Sequence, residues 1–174
     1  MNPKEPHWYV LYTKARAEKK VEIELRKKGF ETFLPIQKTL KQWSDRKKWV
    51  EEPLFRSYLF IKIELEKVYY EVLNTYGVVR FISFEKKPVI ISDSEIKTIH
   101  LILGHFEHIE VTEENLEPGQ TVEIIGGPLI GRRGILIEKR GNQQFALELE
   151  GINQKLLLKV PLEYLRLSNQ EAKA

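Results

Sequence analysis

With 174 residues the chain has room for one ordinary domain or two small ones. Its 42% hydrophobic and 30% charged residues are those of a soluble globular protein, and the absence of cysteine excludes disulfides and thiolate chemistry. No apolar run approaches the roughly 18 residues needed to span a bilayer, and Met1–Pro6 is polar, without the apolar stretch of a secretory signal. A cytoplasmic location without membrane contact is therefore expected. The net charge of +3 is too small to diagnose nucleic-acid binding. Its distribution says more: residues 1–109 carry the basic surplus and residues 110–174 are net acidic, so an anionic partner would be met by the first half.

Trp8–Tyr12 is aromatic and β-branched, the pattern of a strand. Lys14–Lys28 predicts a helix, because Ala17, Val21 and Leu25 recur every four residues and Gly29 stops the run. Phe30–Pro35 predicts a second strand. Thr39–Trp49 is polar and basic, with Lys41, Arg46, Lys47 and Lys48 between Trp43 and Trp49, and reads as a hairpin arm or long loop. Leu54–Ile63 predicts a third strand, Lys67–Thr75 a short helix and Val78–Phe84 a fourth strand. Ser92-Asp93-Ser94-Glu95 is a capping box, followed by Ile96, Ile99 and Leu103 at helical spacing. The order β-α-β-β-α-β plus a terminal helix is the split-βαβ, ferredoxin-like pattern of an α+β domain.

Phe106–Pro118 is acidic and differs in composition from both flanks. We therefore expect a first domain over 1–106, a linker over 107–118, a second domain over 119–168 and a flexible tail over 169–174. Within the second domain, Thr121–Ile125, Gly134–Glu138, Phe145–Leu149, Leu156–Val160 and Tyr164–Leu167 are short strands separated by glycine-bearing turns, the pattern of a small β-barrel.

No catalytic constellation emerges. Glu51 and Glu52 are adjacent, so on a strand they point to opposite faces. His100, His105 and His108 have neither cysteine partners nor i,i+4 spacing, so no metal site is expected. Gly126 and Gly131 have the spacing of a phosphate loop, but Arg132-Arg133 replaces Lys-Ser/Thr, Pro128 removes an amide, and a strand follows where a helix is needed. The sequence points to binding rather than chemistry, with no cofactor.

Trp8-Tyr9-Val10-Leu11-Tyr12, the run Glu52–Phe60, Gly77-Val78-Val79-Arg80-Phe81-Ile82, the helix entry Pro88–Glu95 and the turn Gly126–Gly134 occur in the order of the NusG family, which the chain resembles over nearly its whole length. The resemblance implies a NusG N-terminal (NGN) domain followed by a small SH3-like β-barrel, the KOW domain. Glu52-Pro53-Leu54-Phe55 looks closer to the specialised RfaH-like and UpxY-like members than to general NusG, although Arg56-Ser57 stands where the family often has Pro-Gly or Pro-Asn.

Several expectations follow from the resemblance. An apolar patch including Trp8, Phe55, Tyr58, Ile82 and Phe84 would dock on the clamp helices of RNA polymerase, with a core role competing for each ring. Lys14, Arg16 and Lys67 would hold phosphates of non-template DNA while Tyr69 and Tyr70 stack on a base. Lys47 and Lys48 on the basic arm would add attraction to DNA or RNA. Leu129, Ile130 and Arg132 at the KOW turn would meet a second partner, ribosomal protein uS10 or the termination factor Rho. The implied role is that of a monomeric elongation and antitermination factor, operon-specific in the specialised version and general in the other. A ribosome-associated, RNA-binding KOW protein is the reading from a different class.

Overall fold

The computed structural model describes residues 5–114, 119–139, 142–149 and 151–168. The expected tail over 169–174 and the end of the acidic connector lie outside them. The chain divides into two compact units, Met1–Lys97 and Thr98–Ala174.

The first unit begins with β1 (His7–Thr13). Helix α1 (Glu18–Lys27) starts four residues later than the apolar periodicity suggests, because Arg16 takes a left-handed backbone with φ of 62° and the chain must turn there first. Its end follows the Schellman pattern. Gly29 sits at φ 88°, the Phe30 N–H donates to the Leu25 carbonyl at 3.1 Å, and the Gly29 N–H donates to that of Arg26 at 2.9 Å. Next come β2 (Glu31–Phe33), β3 (Ile36–Gln42) and β4 (Lys47–Pro53). β3 and β4 pair only with each other, from Ile36↔Pro53 to Gln42↔Lys47, so the basic stretch is a hairpin arm. β5 (Tyr58–Ile63) leads into α2 (Leu65–Leu73) and β6 (Val78–Phe81). The small hairpin β7 (Ser83–Phe84) and β8 (Lys87–Pro88) turns through Glu85 and Lys86, both at positive φ, and is followed by β9 (Ile90–Ile91).

The antiparallel sheet runs β2-β5-β1-β6, with β9 paired to β1. Counting β5 as the third strand of a split βαβ unit gives the ferredoxin-like order, with the β3–β4 arm inserted between the second and third strands. One face of this sheet makes the core. Tyr9 and Leu11 from β1, Leu59, Ile61 and Ile63 from β5 and Phe81 from β6 pack with Val21 and Leu25 of α1 and Val72 of α2. Helix α3 (Asp93–His105) starts at the capping box, where the Glu95 N–H donates to Ser92 Oγ at 3.2 Å and the Ser92 N–H donates to Glu95 Oε2 at 3.1 Å.

The second unit is built from β10 (Ile109–Thr112), β11 (Gln120–Ile124), β12 (Arg133–Lys139), β13 (Asn142–Leu149), β14 (Gln154–Leu158), a 3₁₀ turn (Leu162–Tyr164) and β15 (Leu165–Leu167). The antiparallel order is β10-β14-β13-β12-β11-β15. All five expected strands form, and a sixth comes from the connector expected to be a linker. Ile109 and Thr112 of β10 are buried and the strand pairs with β14 from Ile109↔Leu158 to Thr112↔Lys155. The two-residue alternation of apolar side chains within that acidic stretch explains the pairing. The unit division correspondingly falls inside α3 and not in the acidic stretch. The architecture is α+β, a ferredoxin-like module followed by a small β-barrel of SH3-like type.

Candidate functional site

Alternation along β1 and β5 sends Trp8, Val10 and Tyr12, with Tyr58, Phe60 and Lys62, to the sheet face opposite the helix-packed core. The register sets them side by side: Trp8↔Lys62, Val10↔Phe60 and Tyr12↔Tyr58, with Tyr12↔Arg80 on the other side. Tyr12 and Tyr58 meet edge to face at 6.0 Å, and the Arg80 guanidinium lies over the Tyr12 ring at 5.2 Å. Phe33 and Phe60 meet at 5.9 Å and Phe55 and Phe60 at 6.0 Å. The face is therefore a layer of rings, and it grades from sealed to open. Phe60 is fully buried, and Tyr12, Tyr58 and Phe33 are half-buried; outside this sheet, Phe84 on the β7–β8 hairpin is 71% exposed.

This gradient divides the residues expected to dock a partner. Tyr58 retains an accessible ring, Ile82 is half-buried and Phe84 is open. Phe55 and Trp8 do not fit that role. Phe55 is 1% exposed, tucked against Phe60 beneath the turn that enters β5. Trp8 is buried, its indole N–H donates to Asp93 Oδ1 at 3.1 Å, and Lys62 Nζ both covers the ring at 5.7 Å and pairs with the same carboxylate at 3.4 Å. These two rings support the surface from below. Tyr12 is the residue sequence reasoning missed. Its alternation with Trp8 was visible, but its pairing with Tyr58 depends on a register that no local pattern reveals.

The basic residues separate into three places. Lys14 is exposed, and its ammonium lies 4.8 Å from the Tyr76 ring centre, with that of Lys20 at 5.4 Å from the same ring. Tyr76 is 71% exposed in the turn after α2, an aromatic plate flanked by two cations that the sequence did not single out. Arg16 instead lines a cleft with Lys19, Lys41 and Arg56. Lys47 and Lys48 are exposed on the arm, close to its tip, where Arg46 lies 5.5 Å over the Trp43 ring.

Of the tyrosine pair expected to stack on a base, Tyr69 is spoken for. It stacks on Phe81 at 5.2 Å and 16°, packed against the core, because its position on α2 faces the sheet. Tyr70 is 77% exposed. Lys67 is exposed and paired with Glu64 at 2.5 Å. Burial raises the Tyr9 phenol above its usual value, with Glu66 adding to the effect, so Tyr9 stays neutral in the core.

In the second unit the turn between β11 and β12 is tightly fixed. Tyr164 lies so close over Gly126 that a Cβ there would sit 2.7 Å from the ring, and Gly127 and Gly131 hold positive φ. Leu129 is 2% exposed, so this turn residue does not present the surface expected of it. It folds back beside Ile124, Pro128 and Tyr164 in a groove of about 220 Å³, where its side chain leaves water. Its neighbour Ile130 is 66% exposed and Arg132 half-buried. Among the described residues no group of three or more metal-ligating side chains comes together, and no helix is long and apolar enough to cross a membrane.

Comparison with known proteins places these features in context. The family model for the transcription termination factor NusG matches residues 6–100. The transcription termination/antitermination protein NusG of Bacillus subtilis is 29% identical over 147 residues, covering 77% of this chain and 82% of that one. Its namesake from Borreliella burgdorferi is 25% identical over 147 residues, covering 74% and 80%. A solved structure concerning domain interaction in Thermotoga maritima NusG shares the fold, with a TM-score of 0.61 at 21% identity over 95% of this chain and 99% of that one. The family match spans more than half of the sequence and holds the whole ring-bearing sheet: the chain belongs to the NusG family of transcription termination and antitermination factors.

Proposed function

We propose that the chain is a transcription elongation and antitermination factor that acts by binding alone, docking on the clamp helices of RNA polymerase through the open end of its aromatic face and reducing pausing or termination. The observation that carries this reading is the half-buried Tyr12–Tyr58 pair with Arg80 across it. Tyrosine and arginine dominate the energy of protein interfaces because they combine large apolar area with a polar tip. Ordinary solvation does not require two tyrosines and an arginine to pack together, half-open, at one end of a sheet face.

The Lys14–Tyr76–Lys20 cluster supports a contact with the exposed non-template DNA strand, the ring stacking on a base and the ammonium groups holding phosphates. Tyr70 offers a second exposed ring, and Lys47, Lys48 and Lys67 add sequence-independent attraction. Ile130, with Arg132 beside it, is the point at which the second unit would recruit uS10 or Rho. The run at Glu52–Phe55 favours service to specific operons over a general role.

The test is an in vitro pausing assay with purified polymerase, together with direct measurement of affinity. Tyr12→Ala and Tyr58→Ala are expected to weaken polymerase binding at least about tenfold and to abolish the effect on pausing. Unchanged affinity in both would refute the docking surface. An effect on pausing that survives replacement of the operon leader would instead favour the general role.

A further inference from the structure

The β3–β4 arm is a two-stranded ribbon whose outer edges pair with no other strand among the described residues. An isolated pair of strands is marginal by itself, and an open edge is a template for another strand. The hydrogen-bond alternation fixes which backbone groups β4 leaves free. The Trp43 N–H donates to the Arg46 carbonyl at 2.8 Å and the Leu54 N–H to that of Pro35 at 2.8 Å, one bond at each end of the arm. Between them the even-numbered residues of β4 bond to β3, so the backbone groups of Lys47, Trp49 and Glu51 point away from it. The Glu51 carbonyl shows the same direction, since it accepts from Lys19 Nζ at 3.4 Å in an exposed contact.

The side chains of those three residues share a face with Leu40, because Lys38↔Glu51, Leu40↔Trp49 and Gln42↔Lys47 are cross-strand pairs. Leu40 is 49% and Trp49 63% exposed, an apolar pair left open to water. Lys47 and Lys48 form no ion pair among the described residues, and Glu51 pairs with Lys38 at 3.6 Å. The run Lys47-Lys48-Trp49-Val50-Glu51 is therefore cationic at one end, apolar in the middle and anionic at the other. Such a strand complements itself when reversed.

We infer that β4 pairs antiparallel with β4 of a second copy, across a two-fold axis at Trp49. An axis normal to the ribbon keeps each face on its own side, so residues that meet must share a face and must both have outward backbone groups. Trp49 opposite the second copy's Trp49, and Lys47 opposite its Glu51, meet both conditions. A Lys47–Glu51 pair then lies on each side of the axis, and Arg46 comes level with Glu52. Leu40 and Trp49 of the two copies join into one apolar row across four strands. The pairing replaces the Lys19 contact at the Glu51 carbonyl with a backbone hydrogen bond. Sliding the register by two residues sets Trp49 against Glu51 and Lys47 against Pro53, which has no N–H. The outer edge of β3 offers no such match, since Lys38 and Lys41 are its only charges. The interface is small, so the dimer is weak, and the dilute chain stays the monomer that the family resemblance implies. This inference is independent of the polymerase reading, because its test uses the full-length protein alone.

The experiment is sedimentation equilibrium of the full-length chain from micromolar to near-millimolar concentration. A monomer–dimer equilibrium is expected at low salt, weakened as salt screens the ion pairs. Lys47→Glu and Glu51→Lys each set like charges opposite one another on both sides of the axis, and each is expected to weaken the dimer about tenfold or more. In an equal mixture, one variant carries carboxylates at positions 47 and 51 and the other ammonium groups. The two are expected to pair with each other as the native chain pairs with itself, a recovery that misfolded variants could not give. A chain that stays monomeric at every concentration overturns the inference. So does a dimer that neither reversal weakens, or one that the mixture fails to restore. Affinity for a short oligonucleotide that is lost in Lys47→Glu, while the native chain alone remains monomeric, would assign the edge to a nucleic-acid strand and overturn it too.

Discussion

The two units use their apolar residues differently. In the first, both faces of one sheet are apolar, but only one is covered by α1 and α2; the other carries Trp8, Tyr12, Phe33, Tyr58 and Phe60, and its burial falls off toward Tyr12 and Tyr58. In the second, the buried residues Val122, Ile124, Phe145, Leu147, Leu149, Leu156 and Leu158 come from its own strands, and its exposed large apolar residues, Ile125, Ile130, Leu162, Tyr164 and Leu167 among them, are mostly aliphatic. The first unit therefore has more ring area than its core consumes. A surplus of that kind, positioned on central strands and not on a loop, costs solubility unless a partner covers it. The second unit has no comparable layer of rings, Tyr164 being its one exposed aromatic among the described residues.

The largest expected effects come from the sealed residues of both units. Phe145→Ala and Phe60→Ala, each at a fully buried position, should destabilise the protein by about 3–5 kcal/mol, read from urea unfolding of the full chain. The comparison sharpens at the turn before β5. Phe55→Ala should cost about 3 kcal/mol in stability, because the ring is packed on Phe60, while Tyr58→Ala should cost about 1 kcal/mol and act mainly on polymerase affinity. Equal losses of stability in the two variants would erase the distinction between supporting and contacting rings.

Much of this division was beyond the sequence. Periodicity and turn chemistry located the elements: the stop at Gly29, the capping box at Ser92–Glu95 and five strands of the second unit are all local signals. What local pattern does not contain is depth. Trp8 and Tyr12 are four residues apart on the same strand face, yet Trp8 is buried under Lys62 and Asp93 while Tyr12 is half-open beside Tyr58. Leu129 and Ile130 are neighbours of nearly equal hydrophobicity, and the reversal of the chain sends one inward. Tyr76 escaped notice because its significance lies in Lys14 and Lys20, which reach it only after folding. The start of α1 differs for a related reason: Arg16 takes its left-handed backbone inside a turn that the Ala17 N–H closes on the Lys14 carbonyl at 3.1 Å, and propensity gives no sign of it.

Intermediate effects belong to single positions. Gly77→Ala should cost more than about 1 kcal/mol, since the residue sits at φ 96° and an added Cβ would meet Val21 Cγ2 at 2.7 Å, and thermal melting checks it. At the turn of the second unit, Leu129→Ser should cost about 2–3 kcal/mol while Ile130→Ser should change stability by less than about 0.5 kcal/mol. If Ile130→Ser proved the more destabilising of the two, the picture of a rigid turn with one outward side chain would fail.

The smallest effect is electrostatic and tests the arm, which touches the core only through Ile36 at its base. The hydrogen bond from Lys41 holds the Glu52 carboxyl below the ordinary value of 4.5, with the Thr39 hydroxyl and the Lys41 and Arg56 charges acting the same way and partial burial opposing them. Because the folded value is depressed, the unfolded chain binds more protons as pH falls. The stabilisation is then complete above the unfolded value and disappears as pH drops through the folded one. Glu52 and Lys41 retain 28% and 42% of their side-chain exposure, so screening limits the gain to about 0.5 kcal/mol. Fluorescence of Trp43 and Trp49, both exposed on the arm, gives a local reading of its pairing. Lys41→Gln should move the acid transition of that signal to higher pH, and high salt should shrink the difference. Coincident acid transitions in the two proteins at low salt would mean that the arm is held by its seven-pair backbone ladder alone, with the ion pair contributing nothing.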